Sequence, residues 1–177
     1  MTMKVTKNRK SSPFITETLM TKWSNLLKPD TAFGEGSANH NITVVVDAAF
    51  RNVLNNILKT TGAKKINGLR ESEGVTYFKA KSKVHVDKGV FPCVDSQGIP
   101  TSAVPFGGDK VRLKLVPMVL TRDNSLSIYL NGIQVIEKNS TFSKENDFAP
   151  VEGGFVGTGV AYTDEGESTI DDEDCPF

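Results

Sequence analysis

The chain has 177 residues, 38% of them hydrophobic and 24% charged, with 21 Lys and Arg against 21 Asp and Glu. That length suits one ordinary domain, and no apolar run approaches the roughly 20 residues of a membrane span. The formal neutrality is an average over opposites. All 21 basic residues lie within 1–144 beside 11 acidic ones, a charge of +10, whereas 145–177 holds ten acidic residues and no base, a charge of −10. A basic body joined to an acidic tail of matching charge points to a polyanion-binding surface with a built-in competitor. Tethering puts such a competitor at an effective concentration of roughly millimolar.

The first twelve residues, MTMKVTKNRKSS, are basic and lack a following apolar stretch. They read as a flexible arm rather than a secretory signal. Residues 13–23, rich in Thr and bulky side chains, predict a first strand, and the Gly/Pro/Asp-rich 28–40 a loop. The apolar, β-branched 42–46 predicts a buried strand. Asp47 then stands where an N-cap belongs, ahead of a helix over 48–61 with Phe50, Val53, Leu54, Ile57 and Leu58 on one face and Gly62 as its stop.

Residues 75–86 (VTYFKAKSKVHV) alternate. Phe78, Ala80, Ser82, Val84 and Val86 face one way, and Tyr77, Lys79, Lys81, Lys83 and His85 the other. Three lysines between an aromatic ring and an imidazole serve equally as a solvated outer surface or as a phosphate-tracking face. Pro92 makes 90–94 an edge or interrupted strand. After a turn at 95–98 and a loop at 101–108, residues 110–116 repeat the pattern. Val111, Leu113 and Leu115 point inward, and Lys110, Arg112 and Lys114 outward. Residues 126–137 return as a strand whose alternation slips at Asn131-Gly132, which predicts a β-bulge.

The tail, 145–177, is too acidic and too poor in apolar residues to offset its ordering entropy, so it is expected to be disordered. It ends Asp171, Asp172, Glu173, Asp174, Cys175, Pro176, Phe177. An acidic tether with an aromatic hook suits a docking peptide, and a solubilising tail with an incidental Phe suits the same residues.

The parts of an enzyme are missing. His40 and His85 are the only histidines, neither in a zinc-ligand spacing, and no phosphate-cradling glycine motif opens a helix. No catalytic residue, metal ligand or cofactor is therefore expected. His85 reads as an exposed polar residue and Cys93 as a small buried one. Cys93 and Cys175 lie too far apart in sequence and setting to suggest a disulfide, which favours a reducing compartment. What remains is a mainly β body with two basic strand faces and aromatic rings near them: Trp23, Tyr77, Phe91, Phe106 and Tyr129. Cations that follow a backbone and rings that stack on bases are the inventory of a single-stranded nucleic-acid binder. A five-stranded Greek-key OB barrel would present it in a groove, while an ordinary barrel with surface lysines is the plainer alternative.

The pieces GVTYFKAKSKVHV, VDSQG, VPFGGDKVRLKLVPMVL and SLSIYLNGIQVIE resemble the single-stranded DNA-binding proteins of short-tailed, double-stranded-DNA phages. PFGGDKVRLKLVP is the most specific of them. The resemblance covers about two thirds of the chain. It implies an OB-fold over 13–144, a homodimer, and binding of single-stranded DNA without sequence preference in replication, recombination and repair. It also implies an acidic Phe-ended tail that docks on the DNA polymerase and primase-helicase, in the cytoplasm of an infected bacterium. Two features differ from that family: the connection between Thr61 and Val75 is short, and the tip DDEDCPF is similar to that of bacterial SSB proteins. The hook therefore suits phage or host proteins alike.

On this reading the DNA-binding residues are Trp23, Tyr77, Lys79, Lys81, Lys83, Lys110, Arg112, Lys114 and Tyr129. The partner-binding tail residues are Asp171, Asp172, Glu173, Asp174, Pro176 and Phe177. Two other classes fit the same composition, an RNA-binding OB-fold chaperone and a non-catalytic adaptor acting through its tail.

Overall fold

A computed structural model describes residues 9–139. The chain begins with two short pieces, β1 (Arg9–Lys10) and β2 (Phe14–Ile15), then the long β3 (Leu19–Asp30) and β4 (Asn39–Val45). Helix α1 (Ala48–Thr61) leads to β5 (Lys65–Ile66), β6 (Leu69–Ser72) and β7 (Val75–Ser82). A small hairpin, β8 (Cys93–Val94) and β9 (Pro100–Thr101), precedes β10 (Lys110–Leu120) and β11 (Ser125–Glu137).

Five of these strands close on themselves in the order β10-β3-β4-β7-β11-β10. All their pairings are antiparallel except β7 with β11, which is parallel. This is the five-stranded Greek-key barrel of the OB-fold, with one helix. The short strands extend it: β1 and β2 lie against β10, β5 and β8 against β11, and β6 against β7.

Alternation along the strands fills the interior. Ile42, Val44, Phe78, Ala80, Val111, Leu113, Leu115 and Leu126 have no solvent exposure. Each fully buried Leu, Ile, Val or Phe side chain is worth about 1.5–3 kcal/mol of transfer free energy. Helix α1 closes one end of the barrel. The Asp47 carboxylate accepts from the Phe50 N–H at 2.7 Å, and Gly62 ends the helix in the left-handed conformation. Phe50 and Leu54 are buried, and Phe50 meets Phe78 edge-on at 5.7 Å. Val53, assigned to the same face by its spacing, is 40% exposed.

The boundaries shift for local reasons. The expected first strand over 13–23 is broken at Thr16. Its N–H donates to the Leu113 carbonyl at 2.9 Å, and its buried hydroxyl accepts from the Leu113 N–H at 3.0 Å. The strand resumes at Leu19 and runs to Asp30, into the predicted loop. The expected strand over 75–86 stops at Ser82, whose hydroxyl accepts from the Val84 N–H at 3.3 Å and turns the chain. Val84, expected to point inward, is 67% exposed. His85, expected to be exposed, is half-buried and meets Phe91 edge-on at 5.4 Å. The bulge expected at Asn131-Gly132 is present. Leu115 pairs with Leu130 and Lys114 with Gly132, so Asn131 is the extra residue.

Residues 1–8 of the expected arm and the tail 145–177, with its hook residues, lie outside the described residues. Arg9 and Lys10, also assigned to the arm, pair with Val119 and Met118 of β10. Among the described residues no helix is long and apolar enough to cross a membrane.

Candidate nucleic-acid interface

A second bulge, in β3, prepares the site. The register with β4 shifts between Thr21 and Trp23, so two successive side chains, Lys22 and Trp23, emerge on the outside while Thr21 stays buried. An extra residue in one strand bends it and re-aims its side chains. The loop ahead of β10 holds this bulge from behind. The Gly108 N–H donates to the Thr21 carbonyl and the Thr21 N–H to the Asp109 carbonyl, each at 2.8 Å. A Cβ on Gly107 would come within 2.7 Å of the Lys22 carbonyl oxygen, so only glycine allows the approach.

Asp109 anchors that loop. It is 3% exposed and accepts from the Phe106 N–H at 2.8 Å, from the Asn139 N–H at 2.7 Å and from the Lys138 ammonium. Burial alone would raise its pKa, but the hydrogen bonds from Lys138, Phe106 and Asn139 outweigh it and hold the carboxyl below the ordinary carboxylate value. The Phe-Gly-Gly-Asp-Lys run thus serves the interface indirectly, as a backbone clasp on β3.

On the far side of the clasp lies a groove of about 810 Å³, running over the outer faces of β3, β4, β7 and β11. Lys22 and Trp23 form one side, and Thr43, Tyr77, Lys79 and Lys81 the floor. Tyr129 and Ser127 of β11 lie beyond, and Asn67 to Arg70 wall it. The Lys22 ammonium sits 5.5 Å from the centre of the Trp23 ring and 5.6 Å from that of Tyr77, a cation between two aromatic faces. Trp23 is 55% exposed and Tyr129 39%, which leaves both rings open to a flat ligand. Tyr129 is the strand partner of Lys81, so the two side chains leave neighbouring positions on the same face of the sheet. Phe33, from the β3–β4 loop, reaches the same groove with 86% of its surface exposed.

The wall is pinned at Gly68 (φ +91°), where a Cβ would meet the Lys79 carbonyl oxygen at 2.5 Å. Asn67 donates to the hydroxyls of Ser125 and Ser127, both at 2.9 Å. Arg70 is brought opposite Tyr77 by the β6–β7 register. Lys79 lies 3.8 Å from Asp30, whose carboxyl is held below its usual value by the Ala32 N–H, against some desolvation, with help from the Lys79 charge.

Of the nine residues expected to bind DNA, the groove gathers Trp23, Tyr77, Lys79, Lys81 and Tyr129. It does not include Lys83, which lies exposed beyond the end of β7. Nor does it include the basic face of β10, a strand that closes the barrel between β11 and β3, away from β4 and β7. There Lys110 pairs with Glu137 at 2.8 Å, Arg112 donates to the Thr16 carbonyl at 3.1 Å, and Lys114 lies over Gly132. Alternation finds outward side chains but not which outward face a closed barrel shares. The sequence reading also missed Lys22, Phe33 and Arg70. The bulge that exposes Lys22 has no composition signal, and the other two lie outside the predicted strands.

No protein-family profile matches the chain, and a search of curated protein sequences gives no match. Solved structures do match. The gp2.5 single-stranded DNA-binding protein encoded by bacteriophage T7 is 16% identical, with a TM-score of 0.52 over 78% of this chain and 99% of that one. The single-stranded DNA-binding protein of bacteriophage Enc34, in complex with ssDNA, is 10% identical, with a TM-score of 0.56 over 72% of this chain and 87% of that one. At such identities the likeness establishes a shared fold.

Proposed function

We propose that this chain is a non-enzymatic single-stranded DNA-binding protein of a phage. It coats exposed strands without sequence preference during replication, recombination and repair. The observation that carries this reading is the groove, which sets Trp23, Tyr77, Tyr129 and Phe33 among Lys22, Lys79, Lys81 and Arg70. Aromatic faces stack on any base and ammonium groups follow the phosphates, so the combination tolerates every sequence. Its place adds support, because the groove floor is the second and third strands of the barrel, the face OB-folds use for oligonucleotides. The shared fold of the two phage proteins, one of them bound to ssDNA, points the same way.

The acidic tail completes the proposal from sequence. Its carboxylates compete with phosphates for the groove, and strand binding releases Phe177 to engage an apolar pocket rimmed by Lys or Arg on a polymerase or primase-helicase. The body acts as a homodimer, which sedimentation at increasing concentration tests.

Trp23 is the only tryptophan, so its fluorescence reports on the groove directly. Titration with oligo(dT) is expected to quench it, with a weaker response to the matching RNA. A stronger response to RNA would favour an RNA chaperone, and no response to either polymer would leave an adaptor acting through its tail.

A further inference from the structure

Three buried side-chain atoms lack a hydrogen-bond partner among the described residues: Thr21 Oγ1, Thr43 Oγ1 and His85 Nδ1. Of these residues only Thr43 lines the groove. It is 5% exposed. Its neighbours along β4, Ile42 and Val44, have no exposure and fill the barrel, so alternation turns the Thr43 side chain to the groove face. A buried hydroxyl without a partner is costly, and one on the floor of a binding groove is explained by a ligand that supplies the partner.

The strand register shows what stands beside it. Thr43 pairs with Trp23 of β3 on one side and with Lys79 of β7 on the other. Paired residues project to the same face from strands about 4.8 Å apart, so ring, hydroxyl and lysine form one row across the floor. Two ammonium groups lie over β4, which runs between β3 and β7. That of Lys22 sits between the Trp23 and Tyr77 rings, and Tyr77 pairs with Val45, the next groove-facing residue of β4. That of Lys79 comes within 3.8 Å of Asp30, whose carboxylate accepts from the amide of Asn41, the groove-facing residue on the other side of Thr43. Thr43 thus stands between two cations along β4. Lys22 is held by ring faces and Lys79 by a long ion pair, and a phosphate offers both a stronger partner.

We propose that Lys22, Thr43 and Lys79 form a phosphate subsite on the groove floor, in which the Thr43 hydroxyl donates to a phosphate oxygen of the strand and the two ammonium groups neutralise its charge. The inference rests on the reading of the groove as a single-strand site. It places one nucleotide with its phosphate over Thr43 and its base toward Trp23, one strand spacing away.

The test uses the full chain with Thr43→Val, which keeps the branched shape and removes the hydroxyl, and Thr43→Ser, which keeps the hydroxyl. The valine variant is expected to melt at a higher temperature than wild type, because it buries no orphan polar atom. It is nevertheless expected to bind oligo(dT) about tenfold more weakly, the loss of one hydrogen bond to a charged group. Its log–log salt slope should stay at the wild-type value, since a hydroxyl displaces no counterion, whereas Lys22→Ala lowers it by about 0.7. The loss should be the same with oligo(dC), as a phosphate contact reads no base. Thr43→Ser is expected to bind close to wild type. Unchanged affinity or a lower melting temperature in Thr43→Val, an equal loss in Thr43→Ser, or a loss confined to one base overturns the subsite and leaves the groove reading standing. If the wild type binds no oligonucleotide, the groove reading itself fails, and the subsite with it.

Discussion

Trp23, with more than half its surface exposed, stands outside the buried core cluster. Trp23→Ala is therefore expected to leave the melting temperature nearly unchanged and to weaken oligo(dT) binding by about 1–3 kcal/mol, the range of a lost stacking ring. Calorimetric melting and a binding titration on the same sample separate the two effects. Asp30→Asn works in the opposite sense. It releases Lys79 from its carboxylate partner and removes an anion from the groove's edge, so oligo(dT) should bind a few-fold more tightly. Asp109 gives a prediction in pH. Its folded-state pKa lies below the unfolded value, so its contribution is present above the unfolded carboxylate value near pH 4 and is lost as pH falls through the lowered one. Asp109→Ala should cost about 1–3 kcal/mol for each buried donor it strands. It should also flatten the acid side of the stability curve measured by urea unfolding.

Among the elements, α1 was the most legible. Asp47, the 3.6-residue spacing and Gly62 are local signals, and they mark the helix from Ala48 to Thr61 without tertiary help. The bulge at Asn131 was also readable, because a phase slip in alternation is visible along one strand. The bulge at Lys22 was not, since it comes from the clasp of Gly107 and Gly108 on β3, more than eighty residues away. The same limit hid which basic faces meet. Val111, Leu113 and Leu115 mark Lys110, Arg112 and Lys114 as outward, but only barrel closure shows that β10 lies behind the groove. Gly107→Ala probes the clasp as an element. A Cβ against the Lys22 carbonyl must push the bulge, so oligo(dT) affinity should fall although residue 107 lies outside the groove. A Gly107→Ala protein with unchanged affinity and stability rules the clasp out as a support.

At the scale of the whole molecule, charge segregation is the organising feature: a body of +10 and a tail of −10. Truncation before Asp164 removes seven of the ten tail acids, so ssDNA affinity should rise, most at low salt where competition is least screened. Deleting Phe177 alone should leave that affinity unchanged while abolishing capture of a polymerase or helicase. All of this depends on the groove, rather than the barrel's other basic face, being the surface that binds. The direct measurement compares Lys79→Ala/Lys81→Ala with Lys110→Ala/Lys114→Ala, titrating each with oligo(dT) across a series of salt concentrations. The first pair should bind more weakly and lose about 1.4 from the log–log salt slope, at about 0.7 for each phosphate contact, while the second keeps both near wild type. A full slope in the first pair and a reduced one in the second would move the DNA to β10 and contradict the account.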